Sequence, residues 1–171
     1  MLGIQVQNFI QKILFKEKLT RKDFAKKVGI SYSSVNELIN ANKTYPSVVT
    51  LIKIVNSFNC SINEICGKYP AEENYQQINQ EEVFDNIKNY IIQRLNKEKI
   101  TAKELAKKVG LSSTAIYDFT KTPPKKNFVG MEILLRLSDY WEISLDEILG
   151  RVTATQTKSL NYKNTKTLER I

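Results

Sequence analysis

An internal repeat constrains this chain more than any other feature. The stretch KEKLTRKDFAKKVGIS, residues 16–31, recurs as KEKITAKELAKKVGLS, residues 97–112, at a spacing of 81. A second pair follows at a spacing of 83: SINEICG, residues 61–67, and SLDEILG, residues 144–150. The change in spacing places a two-residue insertion between the two matches. Self-similarity of this kind means two copies of one small domain rather than one larger core. Each copy is about 65 residues, a size that folds without metal or disulfide. The expected organisation is a first domain over 1–68, a linker over 69–81, a second domain over 82–150 and a polar, basic, mobile tail over 151–171. The linker is polar and contains Pro70. The tail is rich in Thr, Lys and Asn and lacks helical periodicity.

Composition excludes several classes of function. The chain has no His, which removes the commonest general base and the commonest metal ligand. Cys60 and Cys66 match no zinc spacing. In the repeat register they face Ile143 and Leu149, so both read as buried packing, with no metal or cofactor expected. Apolar residues make up 42% of the chain, enough for real cores. No apolar run approaches the ~18 residues of a membrane span. The first residues lack a basic region followed by an apolar block. A cytoplasmic protein without membrane contact is the expectation.

The periodicity predicts five helices per repeat and no strand, an all-α fold. Val6, Phe9, Ile10, Ile13 and Leu14 recur at helical spacing. Thr20 with Asp23, and Thr101 with Glu104, are expected to open a second helix, the latter pair as a strict capping box. Gly29 and Gly110 follow its last residue, where a left-handed conformation ends a helix. Ser31 and Ser112 are expected to cap a third helix. Its buried side is Val35, Leu38 and Ile39 in repeat one and Ile116 and Phe119 in repeat two. Val48, Leu51, Ile52 and Val55 predict a fourth helix, matched by Met131, Leu134, Leu135 and Ser138. Ser61 with Glu64, and Ser144 with Glu147, predict boxes for a short fifth helix. Trp141, the counterpart of Phe58, is expected in the core.

A small Ala25 that lets two helices approach closely, Gly29 at the turn and Val35 and Leu38 at fixed offsets make a helix, a tight turn and a helix. With the closing Ser-x-x-Glu-Ile-x-Gly, this pattern resembles the Cro and phage-repressor family of helix-turn-helix proteins, often called XRE-like. The resemblance covers about residues 5–67 and 83–150. It implies two tandem five-helix lambda-repressor-like DNA-binding domains. It implies base-reading side chains at Tyr32, Ser33, Asn36 and Glu37, and at Ser113, Thr114, Tyr117 and Asp118 in repeat two. The start of the second helix, Arg21 or Ala102, is implied as a further contact. The loops after the third helix are implied to touch phosphate, through Asn40, Lys43 and Thr44 in repeat one and Lys121, Lys125 and Lys126 in repeat two. The glutamine pair that many members use on adenine is absent; Tyr32-Ser33 and Ser113-Thr114 offer single hydrogen bonds or methyl contacts instead.

Charge is divided unevenly. Residues 1–70 carry ten basic and four acidic side chains, residues 71–150 eleven and thirteen, and residues 151–171 five and one. Phosphate neutralisation drives most nucleic-acid affinity, so repeat one is expected to be the stronger binder. The expected function is a sequence-specific double-stranded DNA-binding transcriptional regulator, a repressor acting by operator occupancy, not an enzyme. Two units in one chain suggest a covalent pseudo-dimer. A free linker of about 15 residues averages ~20–25 Å and reaches at most ~50 Å, against ~34 Å between half-sites one turn apart. Homodimerisation through repeat two is compatible with this. The alternative is an antitoxin-like or other interaction module whose second repeat or tail binds a partner protein.

Overall fold

The computed structural model describes residues 2–68, 76–121 and 129–152. These form ten α-helices and no strand. Repeat one contains α1 (Leu2–Lys16), α2 (Arg21–Val28), α3 (Tyr32–Ile39), α4 (Val48–Phe58) and α5 (Ile62–Ile65). Repeat two contains α6 (Val83–Glu98), α7 (Ala102–Lys108), α8 (Tyr117–Thr120), α9 (Met131–Trp141) and α10 (Leu145–Ile148).

Local chemistry explains the second helices. Thr20 accepts from the Asp23 amide while Asp23 accepts from the Thr20 amide, and Thr101 and Glu104 do the same for α7. The expected Thr101 box is present and the Thr20 pair closes one as well, satisfying first-turn amides that have no partner inside a helix. Gly29 and Gly110 have φ of 68° and 69°, and the Gly29 amide returns to the Ala25 carbonyl at 3.0 Å. A cation on the fourth helix then reaches the turn in each repeat. Lys53 Nζ donates to the Gly29 carbonyl at 3.1 Å. Its register mate Arg136 donates to the Val109 and Gly110 carbonyls at 3.1 and 3.3 Å. Positive charge there complements the negative end of the second helix.

The core is apolar in both copies. Val6, Ile10, Phe24, Val35, Leu51 and Ile62 are buried in repeat one, and Ile87, Ile91, Leu105, Phe119 and Leu134 in repeat two. Cys60, Cys66 and Trp141 are buried, as their register predicts. Both cysteines are free.

The third helices differ. Ser31 caps α3 by accepting from the Ser34 amide, and the two hydroxyls lie 2.8 Å apart. Ser112 does not cap its helix: its carbonyl accepts from Ala115 in a turn, and α8 starts only after Ile116, which makes no side-chain cap. Ala115 has no hydroxyl to reinforce a cap, and Ser113 and Thr114 disfavour helix interiors. The expected boxes of the fifth helices are also replaced. Ser61 accepts from Asn63 rather than Glu64. Ser144 does accept from the Glu147 amide, but the Glu147 carboxylate accepts from the Tyr90 hydroxyl at 2.6 Å instead of closing the box.

The two repeats touch directly through α5 and α10. Asn63 Oδ1 accepts from the Leu145 amide at 3.0 Å, and Asp146 Oδ1 accepts from the Ile62 amide at 3.3 Å. Ser61 donates its hydroxyl to Asp146. Arg151 pairs with Asp146 at 2.5 Å and donates through both Nη atoms to the Cys60 carbonyl at 3.1 Å. Lys68 crosses to the Ser138 hydroxyl at 3.0 Å and to Asp139 at 2.5 Å. The tail expected from residue 151 is therefore corrected at its start: Arg151 is 0% exposed and Val152 is buried. The linker is corrected at its end. Ile78 is buried, its carbonyl accepts from Asn56, and the Gln76 amide donates to the Arg151 carbonyl. Residues 153–171 and 69–75 lie outside the described residues.

Candidate nucleic-acid interface

The N-terminal half of α3 stands open to solvent because Val35, Leu38 and Ile39 hold its other side in the core. Tyr32 is 53% exposed. Ser33 is exposed, and Asn36 and Glu37 are half-buried beside it. Two cations brace this face. Arg21, from the first turn of α2, donates to Asn36 Oδ1 at 3.1 Å. Lys43, from the following loop, pairs with Glu37 at 2.6 Å.

The loop over residues 40–44 is held by backbone. The Asn40 amide returns to Asn36, the Asn42 amide returns to Glu37, and Ala41 adopts φ 51°. The Thr44 carbonyl accepts from the Gly3 amide at 3.1 Å. A Cβ at Gly3 would collide with the Lys43 carbonyl. The bare glycine is what lets α1 seat this loop, and with it Lys43, against the domain. Asn40, Lys43 and Thr44 are exposed, so repeat one brings all its expected contact residues to one continuous surface.

Repeat two builds a different surface. Ser113, Thr114 and Tyr117 are exposed. Lys103 and Lys121 place their ammonium groups 5.4 and 5.9 Å from the Tyr117 ring centre, within cation–π range. Ala102, the counterpart of Arg21, is buried. Asp118, expected to face outward, is only 7% exposed; the shortened α8 turns it toward the domain. Lys125 and Lys126 lie outside the described residues.

Each repeat thus presents an exposed face with lysines beside it, built on a helix-turn-helix. A helix-turn-helix family model matches residues 10–65, and a Cro/C1-type HTH DNA-binding domain model matches residues 91–154. An uncharacterized HTH-type transcriptional regulator of Rickettsia prowazekii (strain Madrid E) is 33% identical over 67 residues, which are 37% of this chain and 73% of that protein. An uncharacterized HTH-type transcriptional regulator of Rickettsia conorii shows the same identity and span, covering 62% of its own length. No solved structure matches at a significant level. The chain belongs to the Cro/C1-type helix-turn-helix transcriptional regulators. It is a DNA-binding regulator with two such domains in tandem.

In this Cro/C1-type regulator the capping carboxylates also shape the electrostatics. Hydrogen bonds from the Thr20 side chain and backbone hold Asp23 below its usual range. Those from the Thr101 backbone and side chain do the same for Glu104. Both stay ionised at neutral pH beside the positive N-termini of α2 and α7. Among the described residues no cluster of metal-ligating side chains gathers, and no helix is long and apolar enough to cross a membrane.

The residues missed at the sequence level are Gly3, which seats the loop over residues 40–44, and Lys53 and Arg136, which brace the turns. Gly3 carries a weak signal, a glycine among helix formers. Lys53 and Arg136 carry a better one, since both repeats keep a cation at the same register position.

Proposed function

We propose that this regulator binds double-stranded DNA sequence-specifically and acts as a cytoplasmic repressor, by occupying its operator. The observation that carries the reading is the open face of α3. Tyr32, Ser33, Asn36 and Glu37 lie together there, with Arg21 and Lys43 braced against two of them. Such a face fits a major groove, with the short side chains against base edges and the cations against phosphate. Asn40, Lys43 and Thr44 supply the backbone contacts in repeat one. Ser113, Thr114, Tyr117, Lys121, Lys125 and Lys126 supply a second, different set. The mechanism is occupancy: no bond is made or broken, and RNA polymerase is excluded by the bound protein.

The test is selection of bound duplexes from a random library, followed by footprinting of the selected sites. A defined consensus that loses affinity on Ser33→Ala or Tyr32→Ala, while non-specific binding holds, supports sequence reading. A constant ratio of specific to non-specific affinity in both variants and in Thr114→Ala removes it.

A further inference from the structure

We propose that repeat two serves repeat one as its dimerisation partner inside the same chain, with Arg151 as the lock, so that the working species is a single chain closed to a second copy at this face.

The pairing has the form of a two-fold contact between like surfaces. Residues 63 and 146 occupy the same register position in the two repeats, as do 62 and 145. Asn63 accepts from the Leu145 amide, and Asp146 accepts from the Ile62 amide. Each repeat therefore caps the first turn of the other repeat's fifth helix with the same side-chain position. That reciprocity, residue i meeting j while j meets i, is the mark of an isologous interface. Residues 68 and 151 are also register mates. Both send a cation across, Lys68 to Ser138 and Asp139, Arg151 to the Cys60 carbonyl.

The two surfaces are alike but not equal, and the difference selects the partner. Repeat one carries Asn63 and Lys68 where repeat two carries Asp146 and Arg151. The mixed pairing buries one carboxylate, and Arg151 neutralises it while both residues are 0% exposed. Two repeat-two faces together would bury two such pairs and desolvate twice the charge. Two repeat-one faces would leave the Cys60 carbonyls without the guanidinium that holds one here. Tethering adds to this preference. Joined modules meet at millimolar effective concentration over a short linker, above that of a second chain in solution. The segment from Gln76 to Ile78 is held to both repeats, which shortens the tether further.

The test uses the full chain without DNA, so it stands apart from the DNA reading. Light scattering across the micromolar range should return the mass of one chain, 19.7 kDa. Backbone 15N relaxation should show both repeats tumbling as one body. A concentration-dependent dimer mass, or separate tumbling of the repeats, overturns the proposal. Arg151→Met is expected to uncouple the repeats, moving each toward the tumbling time of a body half the mass, while circular dichroism keeps its helix content. A single unchanged tumbling time in Arg151→Met removes Arg151 as the lock. So does loss of helix content, which assigns Arg151 to the fold of repeat two instead.

Discussion

Arg21 donates to the Oδ1 atom of Asn36 at 3.1 Å, and this decides which way the Asn36 amide points. A guanidinium has donors only, so the carbonyl end must face it and the NH2 end must face away. Arg21 and Asn36 together then present only donors. Guanine offers two acceptors, N7 and O6, on its major-groove edge, whereas adenine offers one acceptor and one donor. The base pair under Asn36 is expected to be read as guanine. Arg21→Ala frees the amide to turn, and the preference there should broaden to include adenine, while the salt slope falls by about one. Duplex selection with the variant checks this; an unchanged preference would show that Asn36 does not read that base.

Glu37 competes with a phosphate for the Lys43 ammonium, because it already neutralises that charge. The exposed pair itself is worth at most about 1 kcal/mol, so the exchange is cheap. Lys43→Ala should reduce the slope of log affinity against log salt by about one and weaken all sequences alike. Glu37→Gln should strengthen non-specific binding by releasing Lys43. Fluorescence anisotropy titrations at several salt concentrations measure both, and an unchanged slope in Lys43→Ala takes Lys43 out of the interface.

Two glycines should fail in different ways. A Cβ at Gly29 meets nothing within 4 Å, so Gly29→Ala costs only the left-handed backbone penalty, roughly 1–2 kcal/mol. Gly3→Ala would push the Lys43 carbonyl away and displace the loop over residues 40–44. Thermal melts paired with DNA titrations separate the two. Gly29→Ala should lose stability first, whereas Gly3→Ala should lose DNA affinity out of proportion to stability.

Acid should loosen both second helices. Asp23 and Glu104 have lowered pKa values in the fold. Their caps therefore contribute fully above the ordinary carboxylate range and lose that contribution as pH falls through the lowered values. Asp23→Asn and Glu104→Gln should each flatten the fall in melting temperature on acidification, and the two effects should add because the caps sit in separate repeats. A pH profile identical to wild type in the double variant would show that neither carboxylate carries it.

Much of this was legible in the residues. Helical periodicity, the Thr20 and Thr101 boxes and the positions of Gly29 and Gly110 all act within one or two turns of chain, where sequence spacing and space coincide. The failures occur where partners come from elsewhere. Ser61 with Glu64 and Ser144 with Glu147 read as local boxes, whereas Asn63 and Asp146, to which the spacing gives no role, cap the opposite repeat. Arg151 looked like the first residue of a solvated tail because Cys60 and Gln76 reach it across a seam that no periodicity reveals, and Asp146 meets it only where that seam is buried. Asp118 was placed outward by its register with Glu37, which holds only while both third helices have the same length. A clue to the seam was a second polar residue in each short fifth helix, Asn63 before Glu64 and Asp146 before Glu147.

The burial of the two cysteines turns them into a chemical clock. Burial pushes the thiols of Cys60 and Cys66 up to about 12, so at neutral pH neither is the thiolate that alkylating reagents attack. Labelling must wait for the protein to open, and its rate then measures how often each site does so. Cys60 gives its carbonyl to Arg151, which makes its modification a timer for parting of the repeats. Cys66 runs alongside as a second timer on the same chain. The difference between the two rates reports motion of the seam without any substitution.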